Sequence, residues 1–139
     1  MGVVQEFAQA FNRRDVGALL RCFTDGAAYR DMFYGPHTGQ AALREMFERM
    51  FREGRDYHWQ METVVENPGA AAAEWTFSYV VSEAVPRSAG RKIRFRGMSV
   101  FELAGGRIAG YREYFDKGGA LLQLGFSPAS MAKVLARGA

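Results

Sequence analysis

The stretch "RKIRFRGMSVFELAGGRIAGYREYFD", residues 91–116, decides the fold. Before Gly105-Gly106, Ile93, Phe95 and Gly97 alternate with Lys92, Arg94 and Arg96. After it, Tyr111, Glu113 and Phe115 alternate with Arg112, Tyr114 and Asp116. A period of two is that of a strand, and so short a glycine connection makes the two strands antiparallel neighbours. Working outward, "YHWQMETVV" (57–65) and "AAAEWTFSYVVSE" (71–83) keep the same period. Asn67-Pro68-Gly69 separates them, and a polar loop around Pro86 to Gly90 leads back into the opening stretch. Four consecutive strands result.

Toward the N-terminus the period lengthens. Val4, Phe7, Ala8 and Phe11 recur at helical spacing until Asn12-Arg13-Arg14 breaks the run. Asp15 then caps a second helix that buries Val16, Leu19, Leu20 and Phe23. "AAYRDMFY" (27–34) alternates as a strand, with Tyr29, Asp31 and Phe33 on one face, and Gly35-Pro36 ends it, leaving His37 in a turn. A long helix over about 40–53 carries the stripe Leu43, Met46, Phe47, Met50 and Phe51. Glu45–Arg49 and Glu48–Arg52 are i,i+4 pairs on its wet side, and Gly54 stops it. At the other end "LLQLGF" (121–126) folds back toward the sheet, and Ser127-Pro128 opens a short helix over about 128–137. Helices followed by a run of strands mean α+β: a cone-shaped, curved antiparallel sheet wrapped around the N-terminal helices and enclosing a cavity. The expected organisation is one domain over 1–139, with its core at about 3–126.

Composition agrees with a cavity. The chain of 139 residues is 48% hydrophobic, with eleven Phe and seven Met, so it can line a pocket as well as fill a core. Its net charge of +3 is scattered, without the dense basic stripe that nucleic acid requires. Cys22 is alone and sits among Leu19, Leu20 and Phe23, which reads as a buried thiol in a reducing compartment. No apolar run reaches the length of a membrane span and no secretory leader pattern opens the chain, so a cytoplasmic location is expected.

Asp31 is the first chemical candidate. A carboxylate among aromatics is poorly solvated, and its pKa rises toward the range of a general base; the competing reading is a strand-end Asp that meets solvent or an Arg. Glu113 is the second, if Tyr111, Glu113 and Phe115 face inward; an ion pair with Arg94, Arg96 or Arg112 is its alternative. Asp116 begins the Gly118-Gly119 segment, where a turn or capping role competes with chemistry. His37 and His58 have no metal-ligand spacing, and neither a phosphate loop nor a nucleophile elbow is present, so no metal and no cofactor are expected.

The element order, together with "VVQEFAQAFNRRDVGALLRCFTDGAAYRD", "GPHTGQAALREMF", "GGRIAGYREYFD" and "LLQLG", resembles the nuclear-transport-factor-2-like superfamily, and within it the SnoaL-like proteins. That group includes polyketide cyclases, ketosteroid isomerase and limonene-epoxide hydrolase. The resemblance implies that Asp31 stands where the isomerase has its general base, and Phe7 and Ser99 where it has its anion-stabilising Tyr and protonated Asp. The hydrolase's Arg-x-Asp pair is missing from "WTFSYVV", and Glu113 stands in kind for its further acid. Asp116 is the nearest match to the acid/base of SnoaL-like cyclases. The family habit also implies a homodimer through the outer face of the sheet, where Arg94, Arg96, Arg112 and Tyr114 fall.

Three readings follow. The first is a cofactor-independent isomerase or cyclase acting on a small apolar carbonyl compound, with Asp31 moving a proton and Glu113 or Asp116 as second acid. The second is a non-catalytic binding protein for a hydrophobic metabolite, and the third a dimeric interaction module with a vestigial cavity. Phe7, Tyr29, Phe33, Phe47, Trp59, Trp75, Phe77, Tyr79, Ser99, Tyr111 and Phe115 are the expected ligand contacts. Neither nucleic acid nor membrane is an expected partner.

Overall fold

The computed structural model describes residues 2–137; Met1, Gly138 and Ala139 lie outside the described residues. Two short helices open the chain, α1 (Val3–Asn12) and α2 (Val16–Arg21), the second capped by the Asp15 side chain, which accepts from the Ala18 N–H at 2.9 Å. Then come β1 (Phe23–Asp31), β2 (Gly35–Thr38), α3 (Gln40–Glu53), β3 (Gly54–Asn67), β4 (Ala70–Val81), β5 (Lys92–Ala104) and β6 (Arg107–Phe115). The helices α4 (Lys117–Gln123) and α5 (Pro128–Arg137) close the described chain. Leu43, Met46, Phe47, Met50 and Phe51 are all buried, so the apolar stripe of α3 is core as its spacing predicts.

The six strands form one curved, unclosed sheet in the order β2-β1-β6-β5-β4-β3. Register shifts in β3 between Arg55 and His58 and between Met61 and Thr63 mark bulges, which bend a strand and strengthen its twist. Asp56 takes the left-handed conformation at the first of them (φ 55°), a backbone state Asp tolerates better than most residues. At Gly97 a Cβ would lie 2.6 Å from the Tyr114 carbonyl oxygen and 2.7 Å from the Trp75 ring, so glycine is what lets Trp75 lie against β5. Asn12 ties α1 to the bulged strand: it accepts from the Trp59 N–H at 2.7 Å and donates to the Trp59 carbonyl at 2.9 Å.

Several expectations need correction. The sheet is not wholly antiparallel, because β1 pairs in parallel with β6. The first strand ends at Asp31, and Met32 to Tyr34 form a turn instead of continuing it. His37 lies not in a turn but in β2, opposite Tyr29. Arg49 pairs with Glu53 at 3.2 Å and not with Glu45, because the later partner is held in place by a second donor, the Tyr34 hydroxyl.

Candidate active site

The parallel pairing of β1 and β6 builds the site. Tyr29 lies opposite Tyr111 and Arg30 opposite Arg112, so the next residue on each strand brings Asp31 level with Glu113. Both face inward, and their exposures are only 5% and 7%. Because β1 stops there, the Asp31 carboxylate caps the turn that follows. Its Oδ1 accepts from the N–H groups of Phe33 at 2.7 Å and Tyr34 at 2.8 Å. The Phe115 N–H rests on the Met32 sulfur at 3.3 Å and fixes the turn to β6.

A directed chain of hydrogen bonds supports Glu113. The Trp75 indole N–H, which can only donate, donates to Ser99 Oγ at 2.8 Å. Ser99 donates to the Tyr111 hydroxyl at 2.8 Å, and Tyr111 donates to Glu113 Oε1 at 2.7 Å. Glu113 Oε2 accepts from the Met32 N–H at 3.1 Å. The two side chains stand within hydrogen-bonding reach of each other. Burial pushes the Asp31 carboxyl up, and its two backbone donors, with His37 nearby, pull partly the other way. Burial and then the Asp31 charge push Glu113 up well beyond its ordinary range, against the Tyr111 and Met32 donors. Like-charged neighbours in so dry a place resist ionising together, and Glu113 is the one pushed further up.

These acids stand in the wall of an aromatic cavity of about 220 Å³. Tyr29, Phe33, Trp59, Trp75, Phe77, Tyr79 and Phe115 line it. Leu124 and Phe126, beyond α4, reach it too, so "LLQLGF" does fold back onto the cavity. Where β6 has ended, Gln123 takes over its ladder: it accepts from the Arg94 N–H at 2.7 Å and donates to the Arg94 carbonyl at 2.8 Å.

Other expected contacts lie elsewhere. Phe7 is fully buried behind the cavity, its ring 5.0 Å from that of Trp59 and 5.8 Å from that of Tyr111. Phe47 packs in the core against Phe11, Phe23 and Tyr29. Ser99 and Tyr111 serve the hydrogen-bond chain and are not part of the cavity lining. Asp116 is exposed and caps α4, accepting from the Gly119 N–H at 2.9 Å, which is the capping reading of its sequence position. None of the three arginines is the partner of Glu113: Arg112 pairs with Glu102 at 3.6 Å.

The sequence reading missed Tyr34, Glu53, Tyr57 and Phe95, all of which line the cavity. Glu53 follows Met50 at i+3 and so extends the buried stripe of α3, a signal its charge concealed. The Tyr34 hydroxyl donates to Glu53 Oε1 at 2.6 Å, and burial followed by that bond pushes its pKa far up. Tyr57 donates to the Met50 carbonyl at 2.6 Å and stacks on Tyr79 with ring centres 5.1 Å apart. Among the described residues no group of three His, Cys, Asp or Glu side chains is placed to hold a metal ion.

The sequence profile of the SnoaL-like domain matches residues 4–111. The chain belongs to the SnoaL-like family. No curated protein matches it significantly. Among solved structures, this SnoaL-like protein is similar to one from Pseudomonas putida KT2440 provisionally named a polyketide cyclase, with 23% identity over 88% of this chain and 98% of the other, at a TM-score of 0.78. A provisionally named isomerase from Rhodopseudomonas palustris is 21% identical over 91% and 98%, with a TM-score of 0.76. An epoxide hydrolase from M. tuberculosis, of the limonene-epoxide-hydrolase-like type, is 18% identical over 97% and 93%, with a TM-score of 0.73. At such identities the likeness establishes the fold of this SnoaL-like protein and carries no activity across.

Proposed function

We propose that this SnoaL-like protein is a cofactor-independent acid–base enzyme, an isomerase or cyclase that moves a proton within a small, largely apolar carbonyl compound. The observation that carries this reading is the Asp31–Glu113 pair, buried in the wall of an aromatic cavity where both carboxyls are pushed up. Asp31, ionised, takes a proton from the carbon beside the carbonyl. Glu113, protonated, gives its own to the carbonyl oxygen as the enol forms. Returning the first proton to a different carbon, while the enol O–H returns its proton to Glu113, completes an isomerisation and restores the pair. The Trp75–Ser99–Tyr111 chain holds Glu113 in position through each transfer. A carboxylate base in a dry site contributes roughly 10²–10⁴-fold to such a step.

A binding protein without turnover is the second reading. It is favoured by Asp31 Oδ1 being taken up by two backbone N–H groups, a structural duty that needs no chemistry. Exchange of the α-hydrogens of a small cyclic ketone in D₂O, followed by NMR, separates the two. The enzyme reading expects protein-catalysed exchange that Asp31→Asn lowers by about 10²-fold or more. No exchange above buffer leaves the binding protein as the function. Under either reading we propose a homodimer formed through the outer face of the sheet and a cytoplasmic location; no described helix is long and apolar enough to cross a membrane.

A further inference from the structure

Three of the side chains lining the cavity are acids, Asp31, Glu53 and Glu113, and among the described residues no Lys, Arg or His lines it. Aromatic rings make up most of the remaining wall. Tyr34 spans the acids: its backbone N–H bonds Asp31 and its hydroxyl bonds Glu53, so negative charge stands at both ends of one tyrosine. The nearest cations stay outside. Arg49 reaches Glu53 Oε2 from a half-exposed position over the outer side of the Tyr34 ring, 4.8 Å from its centre. Arg14 donates to the Phe51 carbonyl at 2.7 Å, from where its charge still bears on Tyr57, and His37 acts on Asp31 from β2.

An anionic ligand entering this space would meet acidic side chains of which only Glu53 has an ion-pair partner, Arg49, in a low dielectric where repulsion is strong. A neutral apolar ligand would leave the acids still less solvated. A cation does the opposite at both kinds of wall. It offsets the carboxylates, and ring faces attract it through their quadrupoles. The tyrosines already register that field: burial, then the charges of Asp31 and Glu53, push Tyr79 up to about 12.

We propose that the ligand of this cavity is an organic ammonium ion, its charged nitrogen lying between Glu53 and the stacked Tyr57–Tyr79 pair. This deepens and rests on the acid–base reading of the site: the reacting carbonyl end of the same molecule meets Asp31 and Glu113, and the ammonium end supplies orientation. The cavity volume of about 220 Å³ suits a compact amine better than the drug-sized ligands that fill sites of about 300–1,000 Å³.

Choline and its neutral carbon isostere, 3,3-dimethylbutan-1-ol, test the idea because they share a shape and differ in charge. The two tryptophans of the chain, Trp59 and Trp75, both line the cavity, so their fluorescence reports binding there. Choline is expected to bind about tenfold more tightly than the alcohol. Glu53→Gln, which keeps a partner for the Tyr34 hydroxyl, should remove most of that preference while the alcohol binds as before. Tyr79→Leu, a wall change that keeps the surface apolar, should weaken choline selectively in the same way. Equal or tighter binding of the alcohol, no binding of either probe, or a preference unchanged in both variants overturns the proposal. Deuterium exchange into a neutral ketone does not depend on the ammonium site, so its loss or survival reports separately on the acid–base reading.

Discussion

At residue 31 one carboxylate serves the fold and stands where chemistry is possible. It caps the turn that ends β1 and sits next to Glu113 in a place where burial disfavours both charges. Both groups are raised above their unfolded values, so the folded chain holds more protons than the unfolded one once pH passes about 4. Stability from this pair is therefore fully present at low pH and falls as pH rises, by up to about 1.4 kcal/mol per pH unit for each excess proton, until the folded pair has ionised. Asp31→Asn removes one acid, keeps an oxygen for the turn and offers Glu113 an amide donor. The variant should be more stable than the parent near neutral pH, with a shallower decline in urea midpoint between pH 5 and pH 8. Parallel pH profiles for the two proteins would contradict this.

At the scale of elements, most of what locates the site can be read from the sequence. Alternation groups Asp31 and Glu113 each with the aromatics of one strand face, which burial shows to be the inner one, and the spacing of Leu43 to Phe51 puts α3 on the core. The parallel neighbourhood of β1 and β6 cannot be read that way. It joins residues some eighty positions apart, and neither strand's pattern records its partner, yet it is what brings the two acids level. The turn at Met32 to Tyr34 was concealed for a related reason: its residues continue the alternation of β1, and only the Asp31 cap ends the strand. Phe7 and Phe47 were assigned to the cavity because apolar patterns mark burial without saying which side of a residue is empty. Glu53 was missed for the converse reason, a charged side chain at a position whose helical spacing belongs to the core.

For the whole molecule, the curved sheet has a concave face holding the cavity and a convex face open to water. On the convex side Met98 is 49% and Tyr114 57% exposed, unusual values for a Met and a Tyr in neighbouring central strands. Arg94, Arg96 and Arg112 surround them on the same outer face. If that face joins two copies, sedimentation at micromolar concentration gives a dimer that Met98→Glu converts to a folded monomer; a parent protein that is already monomeric removes the dimer from the account. The claim on which the functional reading depends lies on the concave side, in the raised carboxyls of Asp31 and Glu113. Carboxyl titration of the folded protein by NMR tests it most directly. The two side chains should titrate together, with Glu113 still protonated well above the ordinary range of a glutamate. A Glu113 that ionises at or below its ordinary value, independently of Asp31, would contradict the account.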